Sequence, residues 1–417
     1  MKTELGYKYN LEIETLTPVS IGNGSTLSPL ADYWINGNTA CKVNYKKLEE
    51  ALEAKPEALS DYIAAVNDAS SVKKNNFLYH FIKNTLKEDT NNFINETVSV
   101  VGQENAIELK TCVQEQGKFL IPGSTIKGAI KSAMLYNWLI QKEHKDELIV
   151  LLNNLDFLYK DDSKKYLSKE EKKEKEIEKE KIKTQIDNLI ERFLEKMSNS
   201  KRMNFSLLKI EDVYCENISP VWIHTLRYPL KYSKERKGEK REKEKEKIPV
   251  FLEAIPQDVK SSFNIDFEET AKIKNRSPYL TKYFAENGMN ELLKDINRYS
   301  AANLEYEMNC VERKIELNSY LKKLEYLKNL VSQAEEGFAY IPLGFGKTNF
   351  YQSIGLALYN WINIIKDGED VLNYAFESYL RLFNIGKKGQ EQLPTTRTLI
   401  AANQQPLGWI KLTLTIK

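Results

Sequence analysis

Four cysteines and three histidines are all the thiol and imidazole in a chain of 417 residues, and their scatter excludes several classes of protein. Cys41, Cys112, Cys215 and Cys310 are too few and too far apart for the disulfide frameworks that brace small secreted domains. No pair has C-x-x-C spacing, and His80, His144 and His224 form neither an H-E-x-x-H helix nor a Cys/His finger. No metal site, redox motif or cofactor is therefore expected. Long apolar runs are also missing: no stretch of about 18 residues could cross a bilayer. The first ten residues lack the apolar core and small-residue cleavage site of a signal peptide, so the expected location is cytoplasmic, with no membrane partner. A charge surplus of one sign is absent too. Lys and Arg number 61 against 59 Asp and Glu, so any contact with nucleic acid must draw on locally concentrated positive charge.

The composition that remains, 41% hydrophobic and 29% charged, is that of a globular protein, and the length suggests two or three domains at ~150 residues each. Two stretches stand apart. Residues 169–196 hold nine basic and nine acidic side chains, with Ile182, Ile186, Leu189, Ile190, Phe193 and Leu194 spaced as a helical stripe. This predicts a long, solvated, charge-paired helix with one apolar seam late in its length. Residues 231–247 hold nine basic and five acidic side chains between Pro229 and Pro249, too little apolar area to order the segment alone.

Strict alternation over residues 7–14, with Tyr7, Tyr9, Leu11 and Ile13 opposite Lys8, Asn10, Glu12 and Glu14, predicts a half-buried strand. A glycine loop (Ile21-Gly22-Asn23-Gly24) follows, then Asn36-Gly37 between apolar runs, which signals a hairpin, then a helix from about Tyr45. A second alternating strand closes the chain at 409–416. Strands at both ends around a helix-rich middle predict an α+β fold.

Two internal segments begin alike. Ile121-Pro122-Gly123-Ser124-Thr125-Ile126-Lys127-Gly128 leads into a helix capped by Ser124 or Thr125, with a buried stripe of Ile126, Ala129, Ile130, Ala133, Met134 and Trp138. Lys127 and Lys131 then lie together at the edge of that stripe. Ile341-Pro342-Leu343-Gly344-Phe345-Gly346-Lys347-Thr348 is likewise a strand end, a glycine turn and a lysine. Such constellations favour an anion, because free backbone N–H groups and the positive helix end point at it. A P-loop is excluded, since G-x-x-x-x-G-K-[ST] would need glycine where Ile341 stands. No nucleophile, base and orienter set is visible. His224 lies between apolar residues as a core histidine would, and Asp32 precedes a hairpin as a turn former would. Twenty-three tyrosines offer stacking platforms for unpaired bases, although most rings belong to the core.

The ordered set Leu16-Thr17-Pro18-Val19-Ser20-Ile21-Gly22-Asn23-Gly24, Ile121 to Gly128, Pro342 to Thr348, and Leu393-Pro394-Thr395-Thr396-Arg397 with Pro406-Leu407-Gly408-Trp409-Ile410-Lys411-Leu412 resembles the RAMP superfamily of type III CRISPR effector subunits. The likeness is greatest to the fifth subunit of the type III-A Csm complex. The resemblance implies two ferredoxin-like, RRM-type RAMP modules with helical and Lys/Glu-rich insertions. The matching boundaries are residues 1–160 for the N-terminal module, 161–250 for the insertion region and 251–417 for the C-terminal module. It further implies a non-catalytic capping subunit that binds the 3′ region of the guide RNA (crRNA), supports its maturation in antiviral defence, contacts the backbone subunit, and recruits host ribonucleases. Carried over by residue, Gly22, Asn23 and Gly24 would form the first RNA-facing loop, and Ser124, Thr125, Lys127 and Lys131 the second. Gly344, Gly346 and Lys347 would form the third, with Lys387, Lys388 and Arg397 adding charge near the C-terminus. Some relatives carry histidine where this chain has Ser20, so no proton transfer assigned to that histidine transfers here. Two alternatives remain: a metal-independent endoribonuclease of CRISPR repeat RNA with His224 or His80 as general base, and a type III-B RAMP subunit.

Overall fold

The alternating N-terminal residues form strand β2 (Gly6–Thr15), with Leu11 and Ile13 buried and Lys8 and Glu12 turned outward. A computed structural model describes the chain except residues 1, 4–5, 68–75, 103–106, 162–167, 198–207, 230–247, 269–281, 313, 347–354, 359–395 and 416–417. The first of two large sheets is antiparallel, in the order β10 (Leu208–Ile210), β14 (Lys260–Glu268), β2, β17 (Trp409–Thr415) and β15 (Phe338–Pro342), with β1 (Lys2–Thr3) folded against β2. The closing strand therefore lies beside the opening one, with Ile410 opposite Thr15 and Leu412 opposite Ile13.

Two helices cover this sheet, α4 (Gly123–Leu139) and α7 (Gly288–Val311). The stripe expected of α4 is buried throughout, and it packs with Leu292, Ile296 and Tyr299 of α7 against Leu11, Ile13, Phe263 and Ile265 in one continuous core. Each such side chain contributes roughly 1.5–3 kcal/mol on burial. Helix α8 (Asn318–Ser332) follows α7 and packs on it.

The second sheet runs β3 (Gly22–Leu27), β7 (Leu109–Cys112), β13 (Ile248–Ala254), β12 (Val221–Pro229), β6 (Ile94–Val101), β5 (Thr39–Val43) and β4 (Tyr33–Asn36). β16 (Thr396–Ile400) takes the far half of the β12 edge that β6 leaves. Its centre is aromatic: the Tyr33 ring meets Trp222 edge-on at 4.9 Å, and Trp222 meets Phe251 at 5.7 Å. The expected hairpin is present, Asn36 pairing Thr39 across Gly37 and Asn38. A three-stranded sheet of β8 (Gln114–Glu115), β9 (Lys118–Ile121) and β11 (Val213–Cys215) lies before α4. Helices α1 (Tyr45–Glu53), α2 (Pro56–Asn67) and α3 (Phe77–His80) enclose a separate small core with Trp34 and Phe93.

The α+β class expected from the sequence is the one observed. The boundaries at 160 and 250 do not correspond to sheets, because β2, β10 and β14 come from three different stretches and hydrogen-bond within one sheet. The charged segment forms helix α6 (Lys169–Met197) after α5 (Lys142–Asp161). Ser168 and Glu171 close a reciprocal capping box at 2.7 and 3.1 Å. Glu176–Lys179 and Glu178–Lys181 pair one turn apart at 2.7 and 3.1 Å. Its seam residues Ile182, Ile186 and Leu189 join Leu148, Leu152 and Leu155 in the main core, so the charge covers the outside of a packed helix. The second basic stretch, 231–247, lies outside the described residues. Among the described residues no helix is long and apolar enough to cross a membrane.

Candidate nucleic-acid interface

Beyond β2 the chain turns through Pro18 and Ser20, and three distant segments are tied there by backbone hydrogen bonds. The Phe345 N–H donates to the Ser20 carbonyl at 2.8 Å, Gly408 N–H to Pro18 at 2.9 Å, and Leu343 N–H to Gly408 at 2.7 Å. The Thr17 hydroxyl accepts the Trp409 N–H at 2.9 Å. Such close approach leaves no room for side chains. Gly344 has φ +68°, and a Cβ on it would stand 2.3 Å from the Ser20 oxygen, while one on Gly408 (φ +84°) would stand 2.0 Å from the Leu343 oxygen.

This knot sets the glycine segments against one face of α4. Ile21 and Gly22, then Ser124, Thr125, Gly128, Lys131 and Ser132, then Gly344 and Phe345 line a single groove of about 510 Å³. Segments 100 and 200 residues apart in the chain, each singled out by its glycines, thus share one concave surface. Lys131 lies on its helical wall, whereas Lys127 of the same helix does not line the groove; both are half-buried, and burial pushes both ammonium groups below their usual pKa. An anion brought to that wall restores the interaction that desolvation removed, which favours a phosphate over a neutral ligand. Beside the groove stands Lys110, an exposed β7 residue whose Nζ is 5.7 Å from the Phe345 ring centroid. Sequence reasoning missed Lys110, for which the only signal was a lysine between buried Leu109 and Cys112 in a short strand.

Several expected roles change. Ser124 and Thr125 do not cap α4: the helix starts at Gly123, whose N–H donates to the Asp212 carboxylate at 2.6 Å. A carboxylate from the β10–β11 connection already answers the positive end of the helix, so anion binding falls to the side of its first turns. The first glycine segment is not a free loop but the start of edge strand β3, with a register shift between Gly22 and Thr26. Asn23 shapes it from within. Its carboxamide donates to the Cys112 carbonyl at 3.1 Å and accepts from Ser25 N–H and the Thr111 hydroxyl, both at 2.8 Å. Gly24 and Gly346 are exposed beside the groove without lining it.

Arg397 is a correction. It is 3% exposed on β16, and its Nε donates to Glu307 of α7, itself fully buried, which also accepts from the Tyr320 hydroxyl at 3.2 Å. The guanidinium is an internal strut between sheet and helices, placed there by the pairing of β16 with β12, and is turned away from the groove lining. Lys347, Lys387 and Lys388 lie outside the described residues.

The candidate general base His224 is 1% exposed in β12, under the edge of the Phe251 ring at 4.1 Å. Burial pushes its pKa down to about 4, so it remains neutral and sealed from any substrate. His80 is exposed, but on α3 in the separate small core and not in the groove. Asp32 behaves as a turn former, accepting from Ser28 N–H at 2.6 Å and from the Tyr45 hydroxyl at 2.8 Å. No cluster of three or more metal-ligating side chains occurs among the described residues.

Comparison with known proteins follows the same lines. The family model of the RAMP superfamily matches residues 12–351. A Methanocaldococcus jannaschii protein described as "CRISPR system Cms protein Csm5" is 25% identical over 435 residues, covering 98% of this chain and 90% of its own. Among solved structures, a chain of a Csm–crRNA–target RNA ternary complex of a type III-A CRISPR-Cas system has a similar fold, with a TM-score of 0.62 at 17% identity over 98% of this chain and all of that one. Csm5 of T. onnurineus has a TM-score of 0.58 at 16% identity over 96% and 99%.

Proposed function

The chain belongs to the RAMP superfamily, and from that premise we propose that it is the Csm5-type, guide-RNA-binding subunit of a type III-A CRISPR effector. In this reading it holds the 3′ region of the guide at the end of the backbone filament, in the cytoplasm, and both assembly and maturation of the guide depend on it. The observation that carries the reading is the convergence of Gly22, Gly128 with Lys131, and Gly344 on one groove. Glycines let a ribose–phosphate backbone approach closely, and a desolvated lysine beside small hydroxyl side chains suits phosphate and sugar contacts, which position RNA without reading its sequence.

The chain's own role is to hold RNA, and trimming of the guide falls to a recruited host nuclease. Supporting this, the one histidine within the sheets is buried and neutral, and among the described residues the groove lining contains no histidine or carboxylate to move a proton.

The test is the double substitution Lys110→Glu with Lys131→Glu, introduced into the tagged chain in its own cells and in the purified protein. Single-stranded RNA binding should fall more than tenfold, and the salt dependence should flatten by about 0.7 in log K per log salt for every phosphate that is no longer neutralised. Guides co-purifying with the complex should be depleted, with an unchanged circular dichroism spectrum. Unaltered guide content and affinity would refute the reading. Cleavage of repeat RNA by the purified chain in EDTA would establish the endoribonuclease instead.

A further inference from the structure

A second cavity also borders β3, through Asn23 and Leu27, and nothing in the phosphate-holding role uses it. It measures about 290 Å³, is floored by Leu27 and Val43, and is walled by Asp32, Lys42, Gln114 and Glu253 with Tyr45 at its mouth. That is the small end of the range for ligand pockets, ~300–1,000 Å³, and suits one planar ring system. We propose that this cavity receives a single extruded base of the bound RNA, with preference for guanine. The proposal rests on the reading of the groove as a phosphate site.

Position supplies the first reason. Gly22 lines the groove and Asn23, the next residue, lines the cavity, so the two sites adjoin along β3 and are close enough for the phosphate and the base of one nucleotide to occupy one each. Charge supplies the second. Glu253, 1% exposed, takes hydrogen bonds from Cys112 N–H at 3.0 Å, Gln114 at 3.3 Å and the Trp222 indole at 3.3 Å, with the Lys42 ammonium at 3.8 Å. Lys42 is held also by Glu96 at 3.0 Å. Two lining carboxylates, Asp32 and Glu253, against one ammonium leave the cavity negative, which repels phosphate and admits a ring edge rich in N–H donors.

Hydrogen-bonding capacity selects the base. Asp32 accepts only from Ser28 N–H and the Tyr45 hydroxyl among the described residues, so about half of a carboxylate's roughly four acceptor sites remain open. Guanine presents N1–H and N2–H side by side, matching a carboxylate in two-point contact, whereas uracil offers one N–H between two carbonyls. Tyr45, 56% exposed, supplies a ring face on which the base can stack.

The test uses fluorescence anisotropy of the full chain with two labelled 12-nucleotide RNAs, oligo(U) and oligo(U) carrying one central guanosine. The guanosine RNA should bind about tenfold tighter, within the range of a good two-point base contact. Asp32→Asn, which keeps a carbonyl acceptor for Ser28, and Tyr45→Ala should each bring it to the oligo(U) level while oligo(U) affinity stays constant. Equal binding of both RNAs, still abolished by Lys131→Glu, would overturn the base pocket and leave the groove intact. Binding of neither RNA would overturn both.

Discussion

Replacing Gly344 by alanine should damage the protein far more than the same change two residues later, although both glycines have left-handed backbones. At Gly344 (φ +68°) a Cβ stands 2.3 Å from the Ser20 oxygen, a distance that real Cβ atoms essentially never show, so the two backbones must part by the better part of an ångström. At Gly346 (φ +95°) the nearest atom is Leu407 Cβ at 3.5 Å, an ordinary separation. Both substitutions cost the left-handed strain of ~1–2 kcal/mol. Gly344→Ala also breaks the Phe345 N–H bond to Ser20, worth ~0.5–1.5 kcal/mol, and adds the misfit of the parted backbones. The expected destabilisation is therefore about 3 kcal/mol or more at Gly344 and about 1–2 kcal/mol at Gly346. Urea unfolding followed by circular dichroism measures the difference as a midpoint shift. RNA affinity should fall with Gly344→Ala even in conditions where the variant is folded, because Ser20 and Gly344 fix the groove wall. Equal midpoint shifts for the two variants would show that the knot of three segments does not hold the groove.

Arg397→Ala should destabilise the fold by about 3–5 kcal/mol by leaving the Glu307 carboxylate buried and unpaired, whereas Arg397→Met with Glu307→Gln should recover much of that stability; denaturation midpoints check both, and a selective fall in RNA affinity at unchanged stability would return Arg397 to the RNA-binding set. His224 has its pKa pushed by burial from 6.5 to about 4, so the unfolded chain binds the extra proton first on acidification. Its contribution is fully present above pH 6.5 and is lost as pH falls towards 4, by about 3 kcal/mol in all, and His224→Leu should flatten the stability profile in that window, measured by urea midpoints at stepped pH.

Much of the local structure was legible. The strand at Gly6–Thr15, the hairpin about Gly37 and the buried stripe of α4 follow from periodicity and turn chemistry, which act over a few residues. The charge pairs and apolar seam of α6 were equally visible, since residues three and four apart face each other on any helix. The glycine segments were legible as an ordered set because their spacing is a property of the chain alone. Their separate roles were not. Asn23 looks like a loop residue facing solvent, yet its partners are Cys112 and Thr111, some 90 residues away. The capping of α4 was assigned to Ser124 or Thr125, the nearest candidates, whereas Asp212 supplies it from 89 residues away.

The amino-acid sequence by itself determined the elements, their amphipathic faces, the α+β class and the order of glycine motifs that marks the RAMP superfamily, because each of these depends on neighbours within a turn or a strand. Tertiary structure alone decided that Thr15 lies beside Ile410, that Gly22, Lys131 and Gly344 face one groove, and that Arg397 points inward to Glu307. Those outcomes depend on which strand edges pair and which faces bury together across up to 395 residues of chain. A side chain's charge or a glycine's freedom carries no record of the partner it will meet, so the same arginine signal fits a phosphate contact and a buried strut until packing chooses between them.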